Sequence, residues 1–223
     1  MKEDARGVWI GLLIFGLWAV SLVGLLALPV SPTSWILLPL GTVWMAFLYT
    51  GLFITAHDAI HGAVWPHHRD FNRWVGQIIL FLYALFPYKK IREAHFQHHR
   101  TPGRPDDPDY HDGQHRGFLR WYLHFMVHYL TLPQLVGMAL IFNLLRYGAG
   151  VPLRNVMAFW AGPALLSTLQ LFAFGTYLTH REPPAGYTNR HHAQTSTYPK
   201  WLSFLTCYHF GYHLEHHLYP NVP

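Results

Sequence analysis

Three groups of histidines carry the chemistry open to this chain. His57-Asp-Ala-Ile-His61 sets two imidazoles at i and i+4. His95-Phe-Gln-His98-His99 and His213-Leu-Glu-His216-His217 each set three at i, i+3 and i+4. On a helix, residues three and four apart share a face, so each group points its rings in one direction. Neutral imidazole suits iron, zinc and copper. His180, alone at the end of an apolar stretch, makes a ninth candidate ligand. Nine exceed what one tetrahedral zinc takes from protein, and they suit two metals that keep open positions for oxygen.

Rival metal chemistries lack their residues. The chain has no His-Glu dipeptide, so the His-Glu-x-x-His zinc-protease motif is absent. It has no Glu-x-x-His pair, so a carboxylate-bridged di-iron bundle is excluded too. A haem held by two membrane histidines would need them at mid-span, one per helix. The single cysteine, Cys207, excludes Cys-rich zinc and iron–sulfur sites and any intrachain disulfide.

A lone histidine in an apolar helix more often packs or hydrogen-bonds than ligates. His191, His192, His209, His124 and His128 therefore rank as lesser metal candidates, and His67, His68, His111 and His115 read as solvated loop residues. Ligating imidazoles usually give their outer N–H to a carboxylate or carbonyl. Asp58 and Glu215, inside two of the groups, are candidates for that role. Asp106-Asp107-Pro-Asp109 is a turn signal and a candidate functional loop beside the second group.

The elements that position these residues follow from composition. Only 12% of the 223 residues are charged and 51% are hydrophobic, against about 25% charged in soluble domains. Val8–Leu28 and Ser34–Ala56 carry no charge, and each is long enough to cross a bilayer. A cleaved signal peptide has a shorter apolar region, so Val8–Leu28 is expected to stay as a helix. Pro29-Val-Ser-Pro32 should turn the pair into a hairpin. Gln134–Leu145, starting before Pro133 if it spans, and Val156–Leu178 read as a second hairpin around Gly148–Pro152. Val75–Tyr88 is too short to cross and reads as re-entrant or interfacial, and Phe118–Leu132 as an interfacial helix. The expected fold is one all-α integral membrane domain over 1–223, with about four transmembrane helices in two hairpins plus interfacial helices. Two crossings separate His57 from His180, so all the clusters return to one face as a cytoplasmic histidine-box cap. The net charge of +5, with Lys89, Lys90, Arg92, Arg100 and Arg104 clustered, fits loops facing anionic lipid rather than nucleic acid.

The order His-x-x-x-His, His-x-x-His-His, His-x-x-His-His resembles the fatty acid desaturase and hydroxylase superfamily of membrane di-iron enzymes. Further strings resemble its β-carotene ketolase branch: Ala56-His-Asp-Ala-Ile-His-Gly62, Pro102-Gly-Arg-Pro-Asp-Asp-Pro-Asp109, Phe159-Trp-Ala-Gly-Pro-Ala-Leu-Leu-Ser167, Leu169-Gln-Leu-Phe-Ala-Phe-Gly-Thr176, His191-His-Ala193 and Leu205-Thr-Cys-Tyr-His-Phe-Gly211. The resemblance covers about Ile54 to Pro223 and implies a few further aromatic residues after it. It implies two iron ions, O2, a ferredoxin-type electron donor and a carotenoid drawn from the bilayer. It also implies oxidation of a β-ionone ring methylene to a ketone. Phe47, Tyr49, Phe53, Phe172, Phe174 and Tyr177 are candidates to line an apolar slot. A carotenoid hydroxylase or fatty acyl desaturase is the nearest alternative. A membrane metal transporter is a distant one, disfavoured because Val8–Leu28, Ser34–Ala56 and Val156–Leu178 offer only Ser, Thr and one Gln as polar residues.

Overall fold

The computed structural model describes residues 5–31 and 34–222. Pro32 of the expected Pro29–Pro32 turn and Pro223 lie outside them. Among the described residues the chain is helical, with a single isolated β-bridge between Thr195 and Tyr212. The helices are α1 (Arg6–Leu26), α2 (Ser34–His61), α3 (Arg69–Ala84), α4 (Tyr88–Arg100), α5 (Phe118–Tyr129), α6 (Leu132–Gly148), α7 (Leu153–His180), α8 (Lys200–Cys207) and α9 (His213–Leu218). Three of them, α1, α2 and α7, are long and apolar enough to cross a membrane, and α5 with α6 makes a fourth span if that broken pair is one. The fold is that of an all-α integral membrane protein. Its contacts divide into two compact units, Met1–Leu85 with Thr131–Thr168, and Phe86–Leu130 with Leu169–Pro223.

In the first unit, α1 has 21 residues, or about 31 Å of helix against a hydrocarbon core of about 30 Å. It buries Gly11, Ile14 and Trp18 and leaves Trp9, Leu13, Val20 and Val23 exposed, as a lipid-facing helix must. Glycines let α1 and the chain from α2 approach closely. A Cβ at Gly7 would lie 2.6 Å from the Val64 carbonyl oxygen, and one at Gly11 would lie 3.0 Å from Thr55 Cγ2. The end of α1 is capped from a distance. The fully buried Asn155 amide donates to the carbonyls of Leu25, Leu26 and Leu28 at 3.4, 3.2 and 2.8 Å, which satisfies carbonyls that the helix end leaves open.

Helix α2 runs five residues past the apolar stretch that the sequence marks, through His57 and His61. It stops at Gly62 (φ 76°), where Gly62 N–H donates to Ala59 O and Ala63 N–H to Asp58 O, a glycine-terminated cap. Helix α3 occupies Arg69–Ala84, displaced from the expected 75–88. The charged Arg69-Asp70 pair belongs to its first turn, Leu85 (φ 56°) ends it, and Tyr88 already belongs to α4 behind Pro87. Helix α6 begins at Leu132 on a capping box between Thr131 and Gln134, with Pro133 in its first turn. Helix α7 exceeds the expected Val156–Leu178 at both ends. It holds π-helical turns at Met157–Ala161 and Phe172–Tyr177. Within the first of these, the Ala158 carbonyl accepts the Thr42 hydroxyl at 2.8 Å.

Candidate metal centre

Two short helices and one helix end carry the histidines of the second unit. In α4 the spacing of three and four puts His95, His98 and His99 along one side of the helix. The start of α4 is tied down by Lys90, whose ammonium donates to the carbonyls of His128, Tyr129 and Leu130 at 2.6, 3.2 and 3.5 Å, at the open C-terminus of α5. In α9 the same spacing aligns His213, His216 and His217. His180 ends α7, just after the π-helical turn, where Gly175 leaves room for Phe210: a Cβ there would sit 2.4 Å from the ring.

Four of these histidines converge. His98, His180, His213 and His217 are all buried, and each offers an imidazole nitrogen within 4.8 Å of the others. His98 Nε2 lies 3.1 Å from His217 Nε2, which lies 3.3 Å from His213 Nε2. Metal–imidazole bonds of about 2.0–2.1 Å place adjacent ligand nitrogens about 3.0–3.4 Å apart, so the spacing matches ligands around one ion. A second set lies half-buried in the same unit, where His99 Nε2 stands 3.2 Å from His95 Nε2 and 3.0 Å from His216 Nε2. In the first unit, His57 and His61 pair with ring centroids 4.9 Å apart.

The outer nitrogens fix the tautomers. His98 Nδ1 lies 2.9 and 3.0 Å from the two oxygens of the buried Asp107. His180 Nδ1 lies 2.9 Å from the His192 carbonyl, and His57 Nδ1 lies 3.1 Å from Asp58 Oδ1. Each partner accepts the Nδ1 proton and turns the Nε2 lone pair inward, the form a metal requires. On His180, Nε2 is buried without a hydrogen bond among the described residues. The Nδ1 atoms of His213 and His217 are likewise buried without one. Packing sets those two rings, with Phe210 5.1 Å from His213 and His191 5.6 Å from His217. This donor set, neutral imidazoles with lone pairs directed at a common point, fits a bound divalent metal.

Electrostatics favour the neutral ring at His213 and His217 and the protonated ring at His98 in the metal-free chain. Burial, then the neighbouring imidazoles, lowers the His213 and His217 pKa values, which keeps both rings neutral. At His98 burial pushes downward, but the charge and hydrogen bond of Asp107 and the charge of Asp109 prevail, and the net direction is up. Burial pushes Asp109 up to about 6, with the Asp107 charge adding to it and the His98 charge and the Tyr129 hydrogen bond opposing.

The remaining sequence candidates separate. Asp109 accepts the Tyr129 hydroxyl, its backbone N–H donates to Asp107 Oδ1 at 2.9 Å, and its carbonyl accepts the Trp121 indole at 2.9 Å. Asp106 is exposed and, among the described residues, accepts the Gln97 amide at 3.0 Å. Glu215 is exposed and accepts the Thr195 hydroxyl, turned away from the imidazoles of its own box. Of the lesser candidates, His209 is exposed, within 3.2 Å of the Ser203 hydroxyl, and His191 accepts from Arg190 Nε at 3.2 Å. His192 contributes its carbonyl and stacks its ring on Tyr187. His128 is exposed, and His124 stacks 5.6 Å from His115, which bonds Asp112 at 2.6 Å. His68 departs from the solvated-loop expectation, being half-buried with its ring 3.9 Å from that of Trp65. Tyr49 and Phe172, candidates for the slot, are fully buried in aromatic packing: Tyr49 against Trp18 and Tyr83, Phe172 against Phe118, Trp121 and Phe125. Sequence reasoning missed Lys90, Tyr129 and Trp121. Only the adjacency of Asp106–Asp109 to the second box hinted at such supports.

Comparison with known proteins places this geometry in a family. The family model for fatty acid desaturase matches residues 33–223. The chain is 40% identical over 220 residues to the zeaxanthin 4-ketolase of Chlamydomonas reinhardtii, covering 97% of this chain and 49% of that one. It is 39% identical over 201 residues to the β-carotene 4-ketolase of Protosiphon botryoides, covering 87% and 51%. It is 38% identical over 216 residues to the β-carotene ketolase of a Paracoccus species, covering 96% and 84%. The chain thus spans about half the length of the first two relatives and most of the third. No solved structure matches it significantly. With this extent of match the chain belongs to the fatty acid desaturase family and, within it, groups with the β-carotene ketolases.

Proposed function

We propose that the chain is a β-carotene 4-ketolase, a membrane di-iron oxygenase that takes its carotenoid from the bilayer. It would convert the ring methylene next to the β-ionone double bond into a ketone, giving echinenone and then canthaxanthin from β-carotene. The carrying observation is the buried group His98, His180, His213 and His217 in a chain similar over most of its length to proteins named as carotenoid ketolases. Each ketone takes two hydroxylations of one carbon, each consuming one O2, two electrons and two protons and releasing one water. The resulting gem-diol then loses water.

The proposed iron ligands are His57, His61, His95, His98, His99, His180, His213, His216 and His217. Bound iron would supply an oxidant strong enough for an allylic C–H bond. The protein's part is orientation: Asp107, Asp58 and the His192 carbonyl hold ring tautomers, and Asp109 with Tyr129 and Trp121 holds the loop that carries Asp107. We place the boxes on the cytoplasmic side of the cell membrane, where a ferredoxin-type donor would deliver electrons. This rests on counting the broken pair α5–α6 as a crossing, which with α7 makes two crossings between His57 and His180.

Expression in a β-carotene-accumulating host, with chromatography of the pigments, tests the proposal. Echinenone and canthaxanthin are expected. Hydroxylated rings without ketone, or desaturated fatty acids with unchanged carotenoid, would overturn it. The zeaxanthin 4-ketolase relative makes a zeaxanthin-accumulating host the second arm of the same assay.

A further inference from the structure

Two of the proposed ligands, His98 from α4 and His180 from α7, come from elements far apart in sequence, yet their outer nitrogens lead to one loop. Gly103 N–H donates to Asp107 Oδ2 at 2.8 Å, and Asp107 holds His98 Nδ1. On its other side Gly103 meets His192. Its φ is 68°, and a Cβ there would lie 2.6 Å from His192 Nδ1 and 2.8 Å from His192 Cβ. The His192 carbonyl holds His180 Nδ1. A second tie runs in parallel. The Tyr187 ring stacks on His192 at 4.2 Å and 4°, its hydroxyl donates to the His180 carbonyl at 2.7 Å, and it lies 2.7 Å from the hydroxyl of Tyr110, at the far end of the same loop.

We infer that Gly103 and Tyr187 are positioning residues that make loop 101–110 the common mount of His98 and His180, so that one backbone contact sets the relative placement of two ligands. This rests on the reading of those histidines as metal ligands. Close approach of backbone to a ring is what only glycine permits. A side chain at 103 must push His192, and with it the carbonyl that orients His180, while straining the N–H that orients Asp107.

The test measures release of ferrous iron from the detergent-purified full chain to an excess of chelator, under anaerobic conditions. Gly103→Ala is expected to release iron about 10–100-fold faster, the usual cost of disturbing the partners of metal ligands. Gly113→Ala is the control for backbone strain, because Gly113 has φ 85° and open space around its Cβ position; it should release iron like wild type. Gly103→Ala combined with His192→Gly removes the collision and keeps the carbonyl, at a position whose φ of 46° glycine tolerates, and should recover part of the loss, since the Tyr187 stack goes with the ring. Tyr187→Phe keeps the stack, drops the hydroxyl and should speed release about tenfold; it carries the test if Gly103→Ala does not fold. Release from Gly103→Ala no faster than from Gly113→Ala, or no recovery in the double variant, overturns the inference. His98→Ala and His180→Ala are measured alongside. If they hold iron like wild type, the ligand reading itself fails. If they lose it while Gly103→Ala and Tyr187→Phe do not, the ligands stand and the mount does not.

Discussion

Asp107→Asn isolates the contribution of one carboxylate. Asp107 is buried and accepts from three donors: His98 Nδ1 reaches both oxygens, Asp109 N–H reaches Oδ1 at 2.9 Å, and Gly103 N–H reaches Oδ2 at 2.8 Å. Asparagine keeps the shape but offers one acceptor oxygen and an NH2 group. Whichever way the amide turns, its NH2 faces a backbone N–H, leaving a buried donor unsatisfied at about 1–3 kcal/mol. The charge that fixes the His98 tautomer is lost as well, which typically lowers metal affinity about 10–100-fold, or about 1.4–2.8 kcal/mol. Iron content after dialysis against graded chelator, with thermal unfolding of the metal-free protein, reads both effects. Asp106→Asn is the matched control, since Asp106 is exposed and accepts from Gln97; it should stay within about 0.5 kcal/mol of wild type. If Asp107→Asn keeps iron as wild type does, Asp107 does not act through His98.

Four further outcomes are expected. Alanine at any of the eight box histidines, or at His180, should abolish ketone formation by pigment analysis, whereas His67→Ala, on an exposed loop residue, should leave it largely intact; wild-type ketone and iron in His180→Ala would refute the nine-ligand set. Asp58→Asn, which weakens the hydrogen bond to His57 Nδ1, should cost roughly 10–100-fold in activity or iron retention, and an unchanged variant would count against that role. The depressed pKa values of His213 and His217 contribute stability present above the unfolded value of about 6.5 and lost as pH falls below it. His98, raised, contributes with the opposite sign, fully below about 6.5 and lost as pH rises through its folded value. Asp109, pushed up to about 6, acts with the same sign as His98, while the lowered His111 and His191 act with His213 and His217. With four lowered histidines outside the spans against two raised groups, the Tm of the metal-free protein should fall between about pH 7.5 and 5.5, and a rise would contradict this balance. Finally, because the sole cysteine, Cys207, is buried, cysteines introduced at Arg100 and Leu218 report topology cleanly; both should label from the cytoplasmic side of vesicles, and labelling from opposite sides would overturn the shared face.

The histidine spacing was informative because it encodes geometry directly: three-and-four spacing implies one helix face, and both α4 and α9 deliver it. The end of α2 at Gly62, by contrast, is a feature of the structure that the apolar stretch Ser34–Ala56 did not mark. Asp107 was legible only as one of five acidic candidates near the boxes. Burial separates it from Asp106, and side-chain direction separates Asp58 from Glu215; neither is encoded in spacing. Long-range polar ties were not legible at all. Asn155 capping α1, Lys90 closing the end of α5 and Tyr187 holding the His180 carbonyl depend on tertiary proximity. The π-helical turns of α7 carry no local composition signal, and α3 was displaced because charged residues at its start masked a helix that begins outside its apolar run.

Metal stoichiometry tests the central claim most directly. Purified anaerobically after growth with iron, the chain should hold close to two irons, with imidazole nitrogen as the dominant ligand by X-ray absorption. One zinc per chain with no iron, or iron bound mainly by carboxylate oxygen, would contradict the histidine-ligated di-iron account.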